Sequence, residues 1–240
     1  MTNRSYAACT DTGLVRSVNQ DSYYLDPLKR FFIVADGMGG HAGGQEASQI
    51  ATDEIQTYLN ECWDSEISSE ELLQEAIARA NERIIQDQME HPERQEMGTT
   101  LVMILFRAEQ AWRVHIGDSR LYRFREETLE QITEDHSYVA RATRQGEMTK
   151  EEARVHPWRN ILLQCLGRRD LRPAEVFPLE TRPGDIFLLC SDGLTEEVTD
   201  EEIVNYLKEG TDCEEMVIKL VEAAKNAGGS DNITVVMVRE

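Results

Sequence analysis

Short apolar runs open the chain, at residues 6–10, 23–25 and 31–35, and read as strands; the last, FFIVA, leads straight into the glycine-rich DGMGGHAGG. The period then changes. Ala47, Ile50, Ala51, Ile55, Tyr58 and Leu59 recur on one helical face, and Leu72, Leu73, Ala76, Ile77, Ala80 and Ile84 on another, which Ser68 and Glu71 announce as a capping pair. Strands are expected again at 99–106, 111–116 and 120–124, with Gly117-Asp118 as a tight turn between the last two. From 136 to 173 the pattern breaks into short helical pieces and reads as an insertion over one end of a sheet. A strand at 186–190 follows, then helices started by Thr199 with Glu202 and by Thr211 with Glu214, a stop at Gly228-Gly229, and a strand at 233–238. Strand runs separated by helix pairs, without βαβ alternation, predict a mainly antiparallel α+β architecture with the helices outside. At 240 residues one domain spanning 1–240 is expected.

Composition sharpens that picture. With 40% hydrophobic and 29% charged residues the chain can fold around a core, and its formal net charge of −20 disfavours binding to nucleic acid or to anionic membrane. Cys9, Cys62, Cys165, Cys190 and Cys213 are odd in number and widely spaced, which predicts neither a disulfide framework nor a zinc cluster and suits a reducing cytoplasm. The opening MTNRSYAACT has no apolar signal core, and the apolar run at 101–106 is too short to span a bilayer. The expected protein is cytoplasmic and monomeric.

Four times an aspartate stands where an apolar run meets a small or polar residue: Asp36 in FFIVADG, Asp118 in VHIGDSR, Asp192 in FLLCSDG and Asp231 in GGSDN. Each alone is ordinary turn chemistry. Together they predict carboxylates converging from strand ends, whose mutual repulsion bound cations relieve. Oxygen donors without matching His or Cys ligands select Mg²⁺ or Mn²⁺. Gly37, lacking a side chain, lets its carbonyl approach an ion. Two ions bridged by Asp36 would hold a water, lower its pKa and orient it for in-line attack on phosphorus. His41 could protonate a departing alkoxide, Arg16 in GLVRSVNQD could clamp phosphoryl oxygens, and Asp21 could order metal-bound water, although Asn19 or Asp21 would equally serve a turn. His115, His91 and His156 read as structural.

At these residues the sequence resembles the protein phosphatase 2C family of metal-dependent serine/threonine phosphatases. GLVRSVNQD, VADGMGGHAGG, MGTT at 97–100, HIGDSR, TEDHS at 133–137, LLCSDGL and GGSDNITVV occur in the family's order and cover essentially the whole chain. The resemblance implies a central antiparallel β-sandwich flanked by helix pairs in α/β/β/α layers, a dinuclear site in a cleft at one end, and hydrolysis of phosphoserine and phosphothreonine in proteins. It implies that Asp36, Asp192 and Asp231 hold a first ion, Asp36 with the Gly37 carbonyl a second, and Asp118 with Asp192 a third, weaker one. It gives Arg16 the phosphate and His41 the general acid. Two departures stand out: Asp21 replaces a glutamate common in the family, and no sensor or transmembrane extension is expected, a likeness to compact, stand-alone bacterial enzymes. The 136–173 segment matches a flap, and its Arg141, Arg144, Lys150, Arg154, Arg159, Arg168, Arg169 and Arg172 would either recruit acidic phosphoproteins or pair with local acids. Trp158 is expected to anchor it by packing. Two other functions compete: a non-catalytic phosphoprotein-binding module of the same fold, and a phosphohydrolase of small phosphate esters.

Overall fold

The computed structural model describes residues 4–240, apart from the side chains of His41 and Ala42. Strands β1 (Ser5–Asp11), β2 (Asp21–Leu25) and β3 (Phe31–Met38) lead into helices α1 (Gly40–Glu61) and α2 (Ser69–Glu90). After them come β4 (Gly98–Thr99), β5 (Leu101–Arg107), β6 (Gln110–Ile116), β7 (Arg120–Arg125) and β8 (Thr128–Gln131), then α3 (Tyr138–Arg144) and α4 (Lys150–Arg154). The order closes with β9 (Glu175–Leu179), β10 (Ile186–Cys190), α5 (Asp192–Thr195), α6 (Asp200–Glu209), α7 (Cys213–Ala227) and β11 (Ile233–Arg239).

Two antiparallel sheets form, one ordered β1-β11-β10-β7-β8 and the other β2-β3-β5-β6-β9, with β4 paired to β3. Why they stack is written in β3, whose first five residues are all buried. Phe31 and Ile33 face α1 and α2 in one apolar cluster, while Phe32 and Val34 meet Leu121, Phe187, Leu189, Val236 and Val238 of the opposite sheet in a second. A strand covered on both faces needs no polar alternation. The outer face of the second sheet sends Leu188, Cys190, Val235 and Met237 against Met216, Val217, Leu220 and Val221 of α7. The layers are therefore helix, sheet, sheet, helix. Each fully buried Phe or Leu in them contributes about 2 to 3 kcal/mol of transfer free energy.

Several expectations are corrected. The helix expected around Ala47 begins at Gly40, so Gly43 and Gly44 lie inside α1 rather than in a loop. Gly117 does not close a hairpin: β6 and β7 belong to different sheets, and the chain passes between them at Gly117 with φ 106°. The N-cap of α7 is Asp212, which accepts the Glu215 N–H, rather than Thr211. Trp158, expected to anchor the flap by packing, is 52% exposed and packs edge-on against Tyr138 within the flap, with ring centroids 5.1 Å apart. Among the described residues no helix is long and apolar enough to cross a membrane.

Candidate metal centre

Asp36 extends from the end of β3, and its Cα is the register partner of Asp21 across β2. Asp118 leaves β6 at the passage between sheets, Asp192 opens α5 immediately after β10, and Asp231 precedes β11. These strands end at the same edge of the sandwich. One cleft of about 430 Å³ is lined by Arg16, Asp36, Gly37, Asp118, Asp192 and Asp231, together with Thr100 and the flap residues Asn160 and Leu162. The structure thus brings together five of the expected ligand positions and the expected clamp. Asp21 does not line the cleft but lies behind it. The expectation for His41 concerns a side chain outside the described residues.

Close backbone packing shapes the cleft. A Cβ at Gly37 would lie 2.0 Å from the Gly44 carbonyl oxygen, so the turn from β3 into α1 admits no larger residue there. Asp36 is held at its backbone: its N–H donates to Thr100 Oγ1 at 2.9 Å, and its carbonyl accepts the Thr100 N–H and the Thr99 hydroxyl at 2.9 Å each. The Thr100 hydroxyl in turn bonds that of Ser119 at 2.7 Å, beside Asp118. Asp21 Oδ2 accepts hydroxyl bonds from Ser191 at 2.8 Å and Thr234 at 2.7 Å, while its buried Oδ1 has no hydrogen-bond partner among the described residues. Asn232 accepts the Gln20 N–H at 2.8 Å and donates to the Thr12 and Val18 carbonyls at 3.0 Å, which fixes the loop carrying Arg16. Thr100, Ser191, Asn232 and Thr234 were not singled out from the sequence, although MGTT, FLLCSDG and GGSDNITVV contain them.

Electrostatically the cleft is a cluster of acids with little to balance it. Burial, then the charges of Asp21, Asp192, Asp118 and Asp231, push the Asp36 carboxyl well above the usual range. Asp192 is raised likewise by burial and by Asp118, Glu196 and Asp231. Asp118 is pushed up to about 7, by burial first and then by Asp135, and Asp21 to about 6, chiefly by burial. Arg16 supplies the cleft's guanidinium, and it is engaged with Asp231 Oδ2 at 2.6 Å. Carboxylates that resist ionising together, an oxygen-only donor set and a buried carboxylate oxygen without a partner fit hard divalent cations.

A second, larger cavity of about 970 Å³ adjoins the first at Asp118 and Asp192 and runs beneath the flap. Its flap wall carries Arg144, Lys150, Arg154 and Arg159, and its opposite wall Glu196, Glu197, Asp200 and Glu201. Some flap bases pair locally: Arg144 with Glu134, Arg159 with Glu196 at 3.4 Å and Arg168 with Asp170 at 2.9 Å.

A helix-faced double sheet with carboxylates gathered at one end defines a metal-binding α+β protein. The family model described as protein phosphatase 2C matches residues 15–234. The serine/threonine protein phosphatase PstP of Mycobacterium tuberculosis is 41% identical over 97% of this chain, which spans 44% of that relative's length. The serine/threonine phosphatase stp of Listeria welshimeri is 36% identical, over 95% of this chain and 93% of the relative. A crystal structure of the PstP catalytic domain with two manganese ions superposes with a TM-score of 0.87 at 37% identity, covering 98% of this chain and 97% of that one. The chain belongs to the protein phosphatase 2C family.

Proposed function

We propose that the chain is a metal-dependent protein serine/threonine phosphatase acting in signalling, a single catalytic domain that hydrolyses phosphoserine and phosphothreonine side chains. The observation that carries this reading is the convergence of Asp36, Gly37, Asp118, Asp192 and Asp231 on one cleft beside Arg16, in a chain of this family. Asp36, Asp192 and Asp231 would hold one Mg²⁺ or Mn²⁺, Asp36 and the Gly37 carbonyl a second, and Asp118 with Asp192 a third. Bound there, such ions lower the pKa of water and neutralise phosphoryl charge.

The protein's own groups supply the rest. Arg16, 49% exposed at its side chain, can turn from Asp231 to grip phosphoryl oxygens with two parallel N–H donors. Asp21, fixed by two hydroxyls on one oxygen, keeps the other available to order water at the back of the cleft. His41, in the first turn of α1, is assigned the proton delivered to the leaving alkoxide, which departs slowly unless protonated. The cavity under the flap would receive polypeptide flanking the phosphorylated residue, and its basic and acidic walls would favour strands of mixed charge over uniformly acidic ones. Its five cysteines are all unpaired, consistent with work in the cytoplasm, and a monomer suffices because every group named comes from one chain.

Phosphate release from a phosphothreonine peptide by metal-stripped protein, with and without Mn²⁺, tests the reading. Turnover should require the metal and vanish in Asp192→Ala. No release by folded protein under any metal condition would overturn it in favour of a binding module, and faster turnover of small phosphate esters than of phosphoproteins would reassign the substrate.

A further inference from the structure

Of the motifs in the sequence, TEDHS has no part in the chemistry above, yet its Asp135 and His136 both hold the segment that carries Asp118. Asp135 grips Arg120, with Nε to Oδ1 at 3.0 Å and Nη2 to Oδ2 at 2.6 Å. His136 holds Gly117 twice: its backbone N–H donates to the Gly117 carbonyl at 2.7 Å, and its Nδ1 accepts the Gly117 N–H at 3.1 Å. Asp118 lies between these two grips. Gly117 is pressed on its other side against Thr100, whose side-chain atoms would stand 2.7 Å from a Cβ there.

The hydrogen bond from Gly117 also decides where the His136 proton sits. A ring nitrogen that accepts an N–H must offer its lone pair, so the proton of the neutral imidazole is on Nε2. Nε2 faces Glu175 Oε1 at 3.5 Å, and Arg113 Nη1 donates to the other oxygen of Glu175 at 3.3 Å. The result is a relay from β9 to the passage between the sheets: Glu175 accepts the hydrogen bond from Nε2–H, and Nδ1 is left to hold Gly117.

We propose that His136 is a positioning residue, which aims the Asp118 carboxylate into the cleft by accepting the Gly117 N–H while Glu175 fixes its tautomer. The consequence is specific: His136 tunes the ion that Asp118 would share with Asp192 and leaves the ions on Asp36 and Asp231 alone. This rests on the assignment of the cleft as a metal centre. His115 packs against the His136 ring with centroids 4.6 Å apart, is fully buried, and neither of its ring nitrogens has a hydrogen-bond partner among the described residues. The donor atoms of His115, His136 and Glu175 lie within 4.8 Å of one another, a set that a transition metal would accept. Ligation would need the Nε2 lone pair, however, and the Gly117 bond puts a proton there.

The test counts and ranks bound Mn²⁺ by calorimetry and by electron paramagnetic resonance on metal-stripped protein, comparing His136→Ala, His136→Asn, Glu175→Gln and Asp118→Asn with the unmodified chain. The Asn amide oxygen can stand near Nδ1 and accept from Gly117, so it is the rescuing variant. His136→Ala should weaken the Asp118-dependent ion about tenfold, the scale of outer-shell substitutions at metal sites, and leave the other affinities unchanged. His136→Asn should return to within about threefold, with Glu175→Gln in between. Equal affinities in the Ala and Asn variants, a uniform loss at all sites, or no loss in His136→Ala would overturn the proposal. If Asp118→Asn itself binds the full complement, the metal assignment of Asp118 fails and the proposal with it. If only Asp118→Asn loses the ion, the clamp alone fails. Zn²⁺ added over saturating Mn²⁺ should find no further site; an extra equivalent abolished by His115→Ala would overturn the tautomer and make the trio a ligand set.

Discussion

Stability of the metal-free protein should fall as pH rises from 6.5 to 8, because the folded state holds carboxyl protons that the unfolded chain has already lost. Asp118 sits at about 7 in the folded protein, against 3.8 as its ordinary value. A group whose folded pKa is raised binds more protons in the native state, so its contribution is complete below the unfolded pKa and disappears as pH passes the folded one. Integrated across the window, Asp118 alone removes about 0.8 kcal/mol. Every further carboxyl that stays protonated throughout adds up to about 2 kcal/mol, and burial raises both Asp36 and Asp192 well above the usual range. The lower bound of the window matters. Burial holds the His115 imidazole down at about 3, so as the unfolded ring loses its remaining half proton above 6.5 this group returns about 0.4 kcal/mol across the window, less than Asp118 alone removes. The upper bound avoids ionisation of thiols in the unfolded chain, since buried Cys165 and Cys190 are pushed up to about 11 and about 12. Urea unfolding in chelator at pH 6.5, 7, 7.5 and 8 gives the slope directly, and saturating Mg²⁺ should abolish it by neutralising the ionised cluster. An unfolding free energy that stays level or rises over this range without metal would refute the account of the cleft as mutually repelling acids.

Other outcomes follow from single contacts. Gly37→Ala should cost more than about 3 kcal/mol in urea and lose tight Mn²⁺ binding, because its Cβ would meet backbone at 2.0 Å. Arg16→Ala should lower kcat/KM on a phosphopeptide about 10- to 100-fold, the worth of a charge-assisted hydrogen bond, and Arg16→Lys should recover only part of it. Asp185 is 1% exposed and takes two bonds of 2.7 Å from Arg125, so Asp185→Ala should destabilise by about 3 to 5 kcal/mol in the same unfolding assay and leave Mn²⁺ affinity unchanged.

Much of the layering was legible because the apolar runs of β3, β5 and β10 are too continuous for surface strands and the helical faces of α1 and α2 keep a clean period. The carboxylates were legible for a related reason: each interrupts or ends such a run. What escaped depends on tertiary fit. Gly43 and Gly44 read as loop, yet a Cβ on Gly44 would stand 2.7 Å from the Gly37 carbonyl oxygen, so close approach rather than helix propensity places glycine inside α1. Gly117 carries turn chemistry, but nothing local tells whether the next strand rejoins the same sheet or crosses to the other. β9 holds Pro178 and a half-exposed Phe177, signals that argue against a strand until an edge position makes them acceptable. The pairing of Arg16 with Asp231 joins residues 215 positions apart, beyond the reach of any periodicity.

The register that zips β1 to β11, Ser5 opposite Arg239 through Asp11 opposite Ile233, bears on how the protein is made. Asp231 leaves a ribosome long after Asp36, and β1 finds its neighbour only once β11 has been synthesised. Such long-range closure is slow relative to local folding. An emerging chain would thus carry Asp36, Asp118 and even Asp192 before Asp231 joins them at the cleft. The acid cluster of the cleft is assembled only when β11 closes the first sheet against β1.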